Sequence, residues 1–199
     1  EQSYEKAFKW CELAAEKGCP IAQRVLGQMY MSDEDFIRSH DVGIPRSRQP
    51  TLTFYGFGNT TEQQDSKAQV MPDTKESNDE RRIENSNMAI EWLQKSAAQG
   101  NTEAKFILGR IFHQGKIVPE NIKMAFDWFN EAAEEGFCEA QYRVATMHFD
   151  GHGTPQDYYS AAKWFHEAAS KDHAKAMYYL GVSHFFGYGV DKDLRLSLV

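Results

Sequence analysis

The 199-residue chain has no run approaching the roughly 18 consecutive apolar residues that a membrane-spanning helix requires. It has no basic excess either: 22 Lys and Arg stand against 29 Asp and Glu, a formal net charge of −7. Binding to a phosphate backbone needs clustered cations, so nucleic acid is not an expected partner. Cysteine is scarce and odd in number, three, which excludes a disulfide framework for the chain as a whole. The signatures of catalysis are missing: no Gly-rich phosphate loop, no Gly-x-Ser-x-Gly elbow, no CxxC or HExxH metal spacing. No cofactor and no metal are therefore expected. Glu134-Glu135 and Asp33-Glu34-Asp35 read as solvated charge rather than catalytic carboxylates. No secretion signal is visible in this sequence, whose first residue is Glu1, and this reads as a processed form or a portion of a longer protein.

What the chain does contain is a repeat. All four tryptophans, Trp10, Trp92, Trp128 and Trp164, have an alanine three residues earlier. Four and five residues later come Ala14-Ala15, Ser96-Ala97, Ala132-Ala133 and Ala168-Ala169, and twelve residues on stand Ala22, Ala104, Ala140 and Ala176. Leu26-Gly27, Leu108-Gly109, Val144-Ala145 and Leu180-Gly181 follow. The last three tryptophans are 36 residues apart, a period that means a solenoid.

Each period reads as two antiparallel helices. The Trp-bearing helix has helical apolar spacing, as in Ala125, Trp128, Phe129, Ala132 and Ala133. It is expected to close at Gly18, Gly100 and Gly136, with Asp172 as a weaker cap in the fourth copy. A second helix carries Ala-x-x-x-Leu-Gly-x-x-Tyr, as in Ala22 to Tyr30, with Phe112, His148 and His184 in the tyrosine position of the other copies. A mid-helix glycine costs about 1 kcal/mol, so Gly27, Gly109 and Gly181 imply close helix approach, with Trp and Leu filling the space beside them. Gly115 to Val118, Gly151 to Thr154 and Gly187 to Val190 read as tight connectors, two of them followed by Pro119 and Pro155.

On these residues the chain resembles the Sel1-like repeat family, relatives of the tetratricopeptide repeats, over residues 4–30 and 86–199. The departures are Val144-Ala145 for Leu-Gly, His148 and His184 for Tyr, and Ile117 for the second connector glycine. The resemblance implies an all-α fold: a right-handed α/α solenoid of about four helix-pair repeats. It also implies a non-catalytic protein-interaction module. One class of Sel1-like protein neutralises a toxic effector enzyme such as a secreted lipase, the function favoured here. Another serves as an adaptor or scaffold in bacterial envelope, signalling or host-interaction pathways. Some cysteine-rich relatives are linked to β-lactam binding or hydrolysis, a third class that no motif here supports. The implied compartment is the bacterial periplasm or cytoplasm, with the periplasm slightly favoured. The array begins on a Trp-bearing helix and stops short of a further Trp, as a portion of a longer array would, or as one whose ends are covered.

Trp10 and Trp92 are 82 residues apart, one period plus 46, and residues 31–85 have none of the repeat spacing. This insertion is expected to be a long loop, either unstructured or ordered on a partner. It contains Phe54, Tyr55 and Phe57 as candidate partner-binding residues, within a Thr51 to Phe57 stretch that alternates enough for a short strand or hairpin. Asn59-Thr60-Thr61 is a glycosylation acceptor pattern of the kind common by chance.

In the cysteine-rich branch of the family a disulfide of eight-residue spacing closes each unit. Cys11 and Cys19 share that spacing, although Cys11 sits one turn too early; paired or packed as free thiols, both readings stand. Cys138 reads as a packing thiol. His148 and His184 occupy equivalent positions, with His113 one residue off, but helix rungs roughly 8–10 Å apart separate such ligands. Histidine in place of the motif's tyrosine is the simpler reading.

A partner is expected to be another protein, held on the second helices opposite their Ala/Leu/Tyr stripe. That face contains Ile107, Arg110 and Gln114, then Tyr142 and Arg143, then Tyr178, Tyr179 and Phe186. Phe106, Tyr142 and Tyr178 either face the partner or fill the seam between units. Arg110, Arg143 and Tyr179 are the strongest candidates, because Arg and Tyr dominate binding energy at interfaces.

Overall fold

The computed structural model describes the backbone of residues 2–31 and 75–193 and the side chains of residues 6–31 and 83–193. Among these it is all-helical: α1 (Gln2–Glu16), α2 (Pro20–Tyr30), α3 (Lys75–Ala98), α4 (Thr102–Gln114), α5 (Ile122–Glu134), α6 (Cys138–Asp150), α7 (Tyr158–Ala169) and α8 (Ala174–Phe186). Odd-numbered helices bear the tryptophans. Even-numbered ones bear the Ala-x-x-x-Leu-Gly motif, with Val144-Ala145 in its place in α6. None is long and apolar enough to cross a membrane among the described residues.

Local sequence sets the ends of these helices. Asn101 and Asn121 each accept a hydrogen bond from the backbone N–H three residues on, at 3.0 Å, and Asp157 accepts from the N–H groups of Tyr159 and Ser160. These satisfy donors that the first turn leaves unpaired. Gly18, Gly100 and Gly136 close the Trp-bearing helices at φ of +86°, +81° and +88°. Asp172 holds the equivalent place at φ +62°, the sole left-handed non-glycine among the described residues. An L-residue there is strained by about 1–2 kcal/mol. Asp172→Gly is therefore expected to raise stability by about 0.5–1 kcal/mol after the extra freedom of glycine in the unfolded chain is subtracted. A urea-unfolding midpoint measures it.

The core forms where each Trp-bearing helix packs on the preceding second helix. A Cβ on Gly109 would lie 2.5 Å from the ring of Phe129, and one on Gly27 would lie 2.8 Å from Leu93 Cγ. So the residue after each tryptophan, not the tryptophan, fills the space beside the small residue. Leu93, Phe129 and Phe165 are fully buried. Trp128 and Trp164 are half-buried and reach back onto the cluster of the preceding unit, while Trp10 is 71% exposed.

The connection from α2 to α3 occupies the place of the connectors 115–121 and 151–157. The insertion expected over 31–85 is thus a lengthened connector. Its last part is helical: α3 starts at Lys75, 17 residues before Trp92, whereas α5 and α7 start six residues before their tryptophans. That adds about 16 Å of helix at 1.5 Å per residue. Met31 is buried against the first core cluster. Phe54, Tyr55, Phe57 and the glycosylation pattern lie outside the described residues.

Candidate functional site

The second helices stack side by side. Arg24 Nε of α2 lies 3.2 Å from Glu103 Oε2 of α4. Phe106 of α4 meets Phe137, the N-cap of α6, with ring centroids 4.9 Å apart. Tyr142 of α6 stacks on His173, the N-cap of α8, at 4.7 Å and contacts Tyr179 at 6.1 Å. His173 is held from two sides: Nδ1 accepts from the Ala176 N–H, and Nε2 lies 3.0 Å from Glu139 Oε2. An unprotonated Nδ1 places the proton on Nε2, which donates to the carboxylate.

The candidates from the sequence divide sharply. Ile107 is fully buried in the first core cluster, so it packs helices together instead of facing a partner. Phe106 and Tyr142 are buried as well, at 2% and 9% exposure, which resolves the open choice for these two in favour of the seam. Tyr178 stands at the position equivalent to both and is 68% exposed on the last described helix. Tyr179 is half-buried, its ring stacked on Phe165 with centroids 4.9 Å apart. Gln114 and Phe186 are exposed. Arg110 and Arg143 are half-buried on neighbouring helices. The reason is geometric: a second helix is sandwiched between the Trp-bearing helices before and after it, and side chains of the adjoining second helices reach it as well. Its apolar arc is therefore wider than a one-sided stripe, and α4 buries Ala104, Phe106, Ile107, Leu108, Gly109 and Ile111.

Sequence reasoning missed a set of polar pairs within the helix pairs. The Gln99 amide donates to Gln23 Oε1 at 2.6 Å, Lys105 Nζ contacts Glu135 Oε1 at 2.7 Å, and Lys171 Nζ donates to Gln141 Oε1 at 3.1 Å. All three occupy equivalent positions. Gln23 and Gln141 also cap the ends of the preceding Trp-bearing helices through the carbonyls of Ala15 and Ala133. Burial opposes the charge on Lys105, yet its hydrogen bonds to Glu135 and Glu131 outweigh that and raise its pKa. The same bond to Lys105, with one from Thr102, holds Glu135 below the usual carboxylate range. The signal was there to find: complementary polar residues recur at two fixed offsets of the repeat.

Burial, and then the neighbouring Arg143, lowers the pKa of Arg110. Burial, Arg143 and His152 lower that of His113. Burial also lowers His148, whose Nδ1 has no hydrogen-bond partner and whose ring meets Phe126 edge-on at 5.3 Å. The folded chain thus resists protonation at His113 and His148 while the unfolded chain accepts it. The resulting stability is present in full above the unfolded value of about 6.5 and is lost as pH falls from there through the lower folded values. His148→Phe, which restores the residue type of Phe112, is expected to raise the urea midpoint and flatten its fall on acidification.

Cys11, Cys19 and Cys138 are free thiols, so the eight-residue spacing does not close a disulfide. Burial pushes the Cys138 thiol up, and its sulfur lies 3.7 Å from the Ala168 carbonyl oxygen. Among the described residues no three His, Cys, Asp or Glu side chains come together to hold a metal ion.

A family model described as Sel1 repeat matches residues 1–19, 80–101, 102–137, 138–173 and 174–198. Its matches at 102–137, 138–173 and 174–198 each start on a second helix, one helix out of phase with the unit read from the tryptophans, while 1–19 and 80–101 cover Trp-bearing helices. Among solved structures, a protective antigen present in uropathogenic Escherichia coli strains, displaying an SLR fold, is 24% identical with a TM-score of 0.66. The alignment covers 96% of this chain and 31% of that one. A Sel1 repeat protein from Oxalobacter formigenes is 25% identical with a TM-score of 0.65, covering 98% of this chain and 43% of that one. The chain therefore spans less than half the length of either. No curated protein matches it.

Proposed function

Because the chain belongs to the Sel1 repeat family, a protein-interaction module type, we propose that it binds another protein without catalysis and that this partner is a secreted toxic enzyme which it blocks. One observation supports the finer part. The connector between α2 and α3, residues 31–74, replaces the short connectors found at 115–121 and 151–157. A solenoid does not need that length to stack, and a connection this long is either a functional segment or a linker, of which the inhibitor reading takes the first. The second-helix face adds Gln114, Arg143, Tyr178 and Phe186 as accessible contacts, of which Arg and Tyr are residue types that dominate binding energy at interfaces.

The test is capture of partners from a lysate of the source organism with the intact chain, alongside a version in which 31–74 is replaced by the Gly151–Asp157 connector. The expected result is one enzyme, bound stoichiometrically and inactivated, and lost on replacement. Several non-enzymatic partners, held equally by both versions, would sink the inhibitor reading and leave a scaffold.

A further inference from the structure

Each seam of the array joins a second helix to the helix pair that follows it, and its contacts recur in register. Among the described residues α1 has no second helix before it and α8 has no Trp-bearing helix after it. The two ends therefore present the two halves of one seam. Ala7 is exposed where Ala89, Ala125 and Ala161 are fully buried, and Leu180 is half-buried where Leu26, Leu108 and Val144 are fully buried.

The lack of a neighbour accounts for those residues but not for three others. Leu13 stands where the other Trp-bearing helices carry Lys95, Glu131 and Glu167. Met177 stands where the other second helices carry Gln23, Lys105 and Gln141, and Ile21 stands where they carry Glu103, Glu139 and Lys175. Leu13 is 41% exposed, Met177 42% and Ile21 62%. A solenoid end left in water calls for a polar outer face, yet here polar positions have been exchanged for apolar ones.

The exchanges match across the seam. Inside the array Lys105 Nζ lies 3.1 Å from Glu131 Oε2 and 2.7 Å from Glu135 Oε1, so the place of Met177 meets the places of Leu13 and Lys17. Arg24 pairs with Glu103 and Phe106 meets Phe137, so the place of Tyr178 meets the places of Ile21 and Cys19. With α8 set in that register against α1 and α2 of another copy, Met177 meets Leu13 and the aliphatic stem of Lys17, and Tyr178 meets Ile21.

We propose that the α8 face docks on the α1–α2 face of a second copy of this chain, head to tail, continuing the solenoid across the joint. Each face meets its complement and not itself, so the contact is heterologous and adds copies into a stack or a ring instead of closing at two. Tyr178 then fills a seam, as Phe106 and Tyr142 do, and stays open to another partner only in the last copy of a stack. The proposal does not depend on the inhibitor reading.

Sedimentation velocity of the intact chain, from about 5 to about 500 µM, reads the association. The sedimentation coefficient is expected to climb with concentration past that of a dimer, with little dependence on salt because the joint is apolar. Leu13→Lys with Met177→Lys sets like charges across the joint, beside Lys17, and should weaken association by at least about tenfold. Leu13→Lys with Met177→Glu recreates, with the signs reversed, the setting of Lys105 between Glu131 and Glu135. It should associate within about threefold of the unaltered chain and lose that association as salt rises. Where the first double variant loses helical signal, Met177→Gln, which restores the residue type of Gln23 and Gln141, replaces it and should weaken association by about threefold or more. Equal association of the two double variants overturns the proposal, because pairing of like ends treats both charges at 177 alike. Growth that stops at a dimer overturns the head-to-tail register. A chain that stays monomeric throughout overturns the proposal and leaves both faces to proteins or helices other than this chain.

Discussion

Replacing Phe165 with alanine is expected to cost about 3–5 kcal/mol, the largest loss of any single substitution considered for this chain. Phe165 is fully buried and is the ring on which the last described units converge. It stacks on Tyr179 at 4.9 Å and meets Tyr142 and Phe149, each at 6.2 Å. Removing it leaves a cavity between α6, α7 and α8 that rigid helices cannot close. Each unit of a solenoid touches only its neighbours, so the damage should appear as early melting of α7 and α8 ahead of α3 to α5. Urea unfolding followed by both tryptophan fluorescence and far-ultraviolet circular dichroism would separate the two transitions. Trp10→Ala removes a larger side chain, but one that is 71% exposed, and should shift stability by no more than about 0.5 kcal/mol. Equal losses from both would mean that the tryptophans, not the residues after them, carry the seam.

Gly153→Ala is expected to cost about 2–4 kcal/mol from two additive sources, left-handed strain and a clash. The residue sits at φ +80°, and an added Cβ would lie 2.7 Å from Ile122 Cγ2 and 2.9 Å from the Ile122 carbonyl oxygen. Backbone does not yield as a flexible side chain would. Gly100→Ala isolates the first source, because at φ +81° nothing lies within 4 Å of its Cβ; it should cost only about 1 kcal/mol. Ile117, at the place equivalent to Gly153, avoids the left-handed region and packs against the first core cluster. Two connectors of equal length thus solve the same turn differently, and thermal midpoints of the two glycine variants would show what the second solution spares.

The fold was legible because its signals are periodic. Alanine spacing around each tryptophan, the glycine eight residues later and even the weaker Asp172 cap correspond to features of the structure. Which aromatic fills the seam was not legible, since Trp and the residue after it are both apolar and lie 100° apart on the helix. Ile107 was misplaced, and the choice for Tyr142 left open, for a related reason. A pattern along one helix cannot report that neighbours cover it on two sides. Arg143 is accessible where its equivalents are apolar, and the repeat register alone marks it out.

The polar pairs Gln23–Gln99, Lys105–Glu135 and Gln141–Lys171 use three different chemistries at one position, and each joins a second helix to the Trp-bearing helix after it. This makes the reading frame of duplication or deletion matter. Excising 138–173 removes Gln141 together with Lys171 and leaves every surviving partner matched. Excising 122–157, also 36 residues, would butt α4 against α7 and set Lys105 against Lys171. Two deletions of one length, each removing two helices, should therefore differ in outcome: the first a shorter array with its pairs intact, the second a shorter array with an electrostatic fault at its joint. Gain and loss of units in such a chain is tolerated in one phase and penalised in the other.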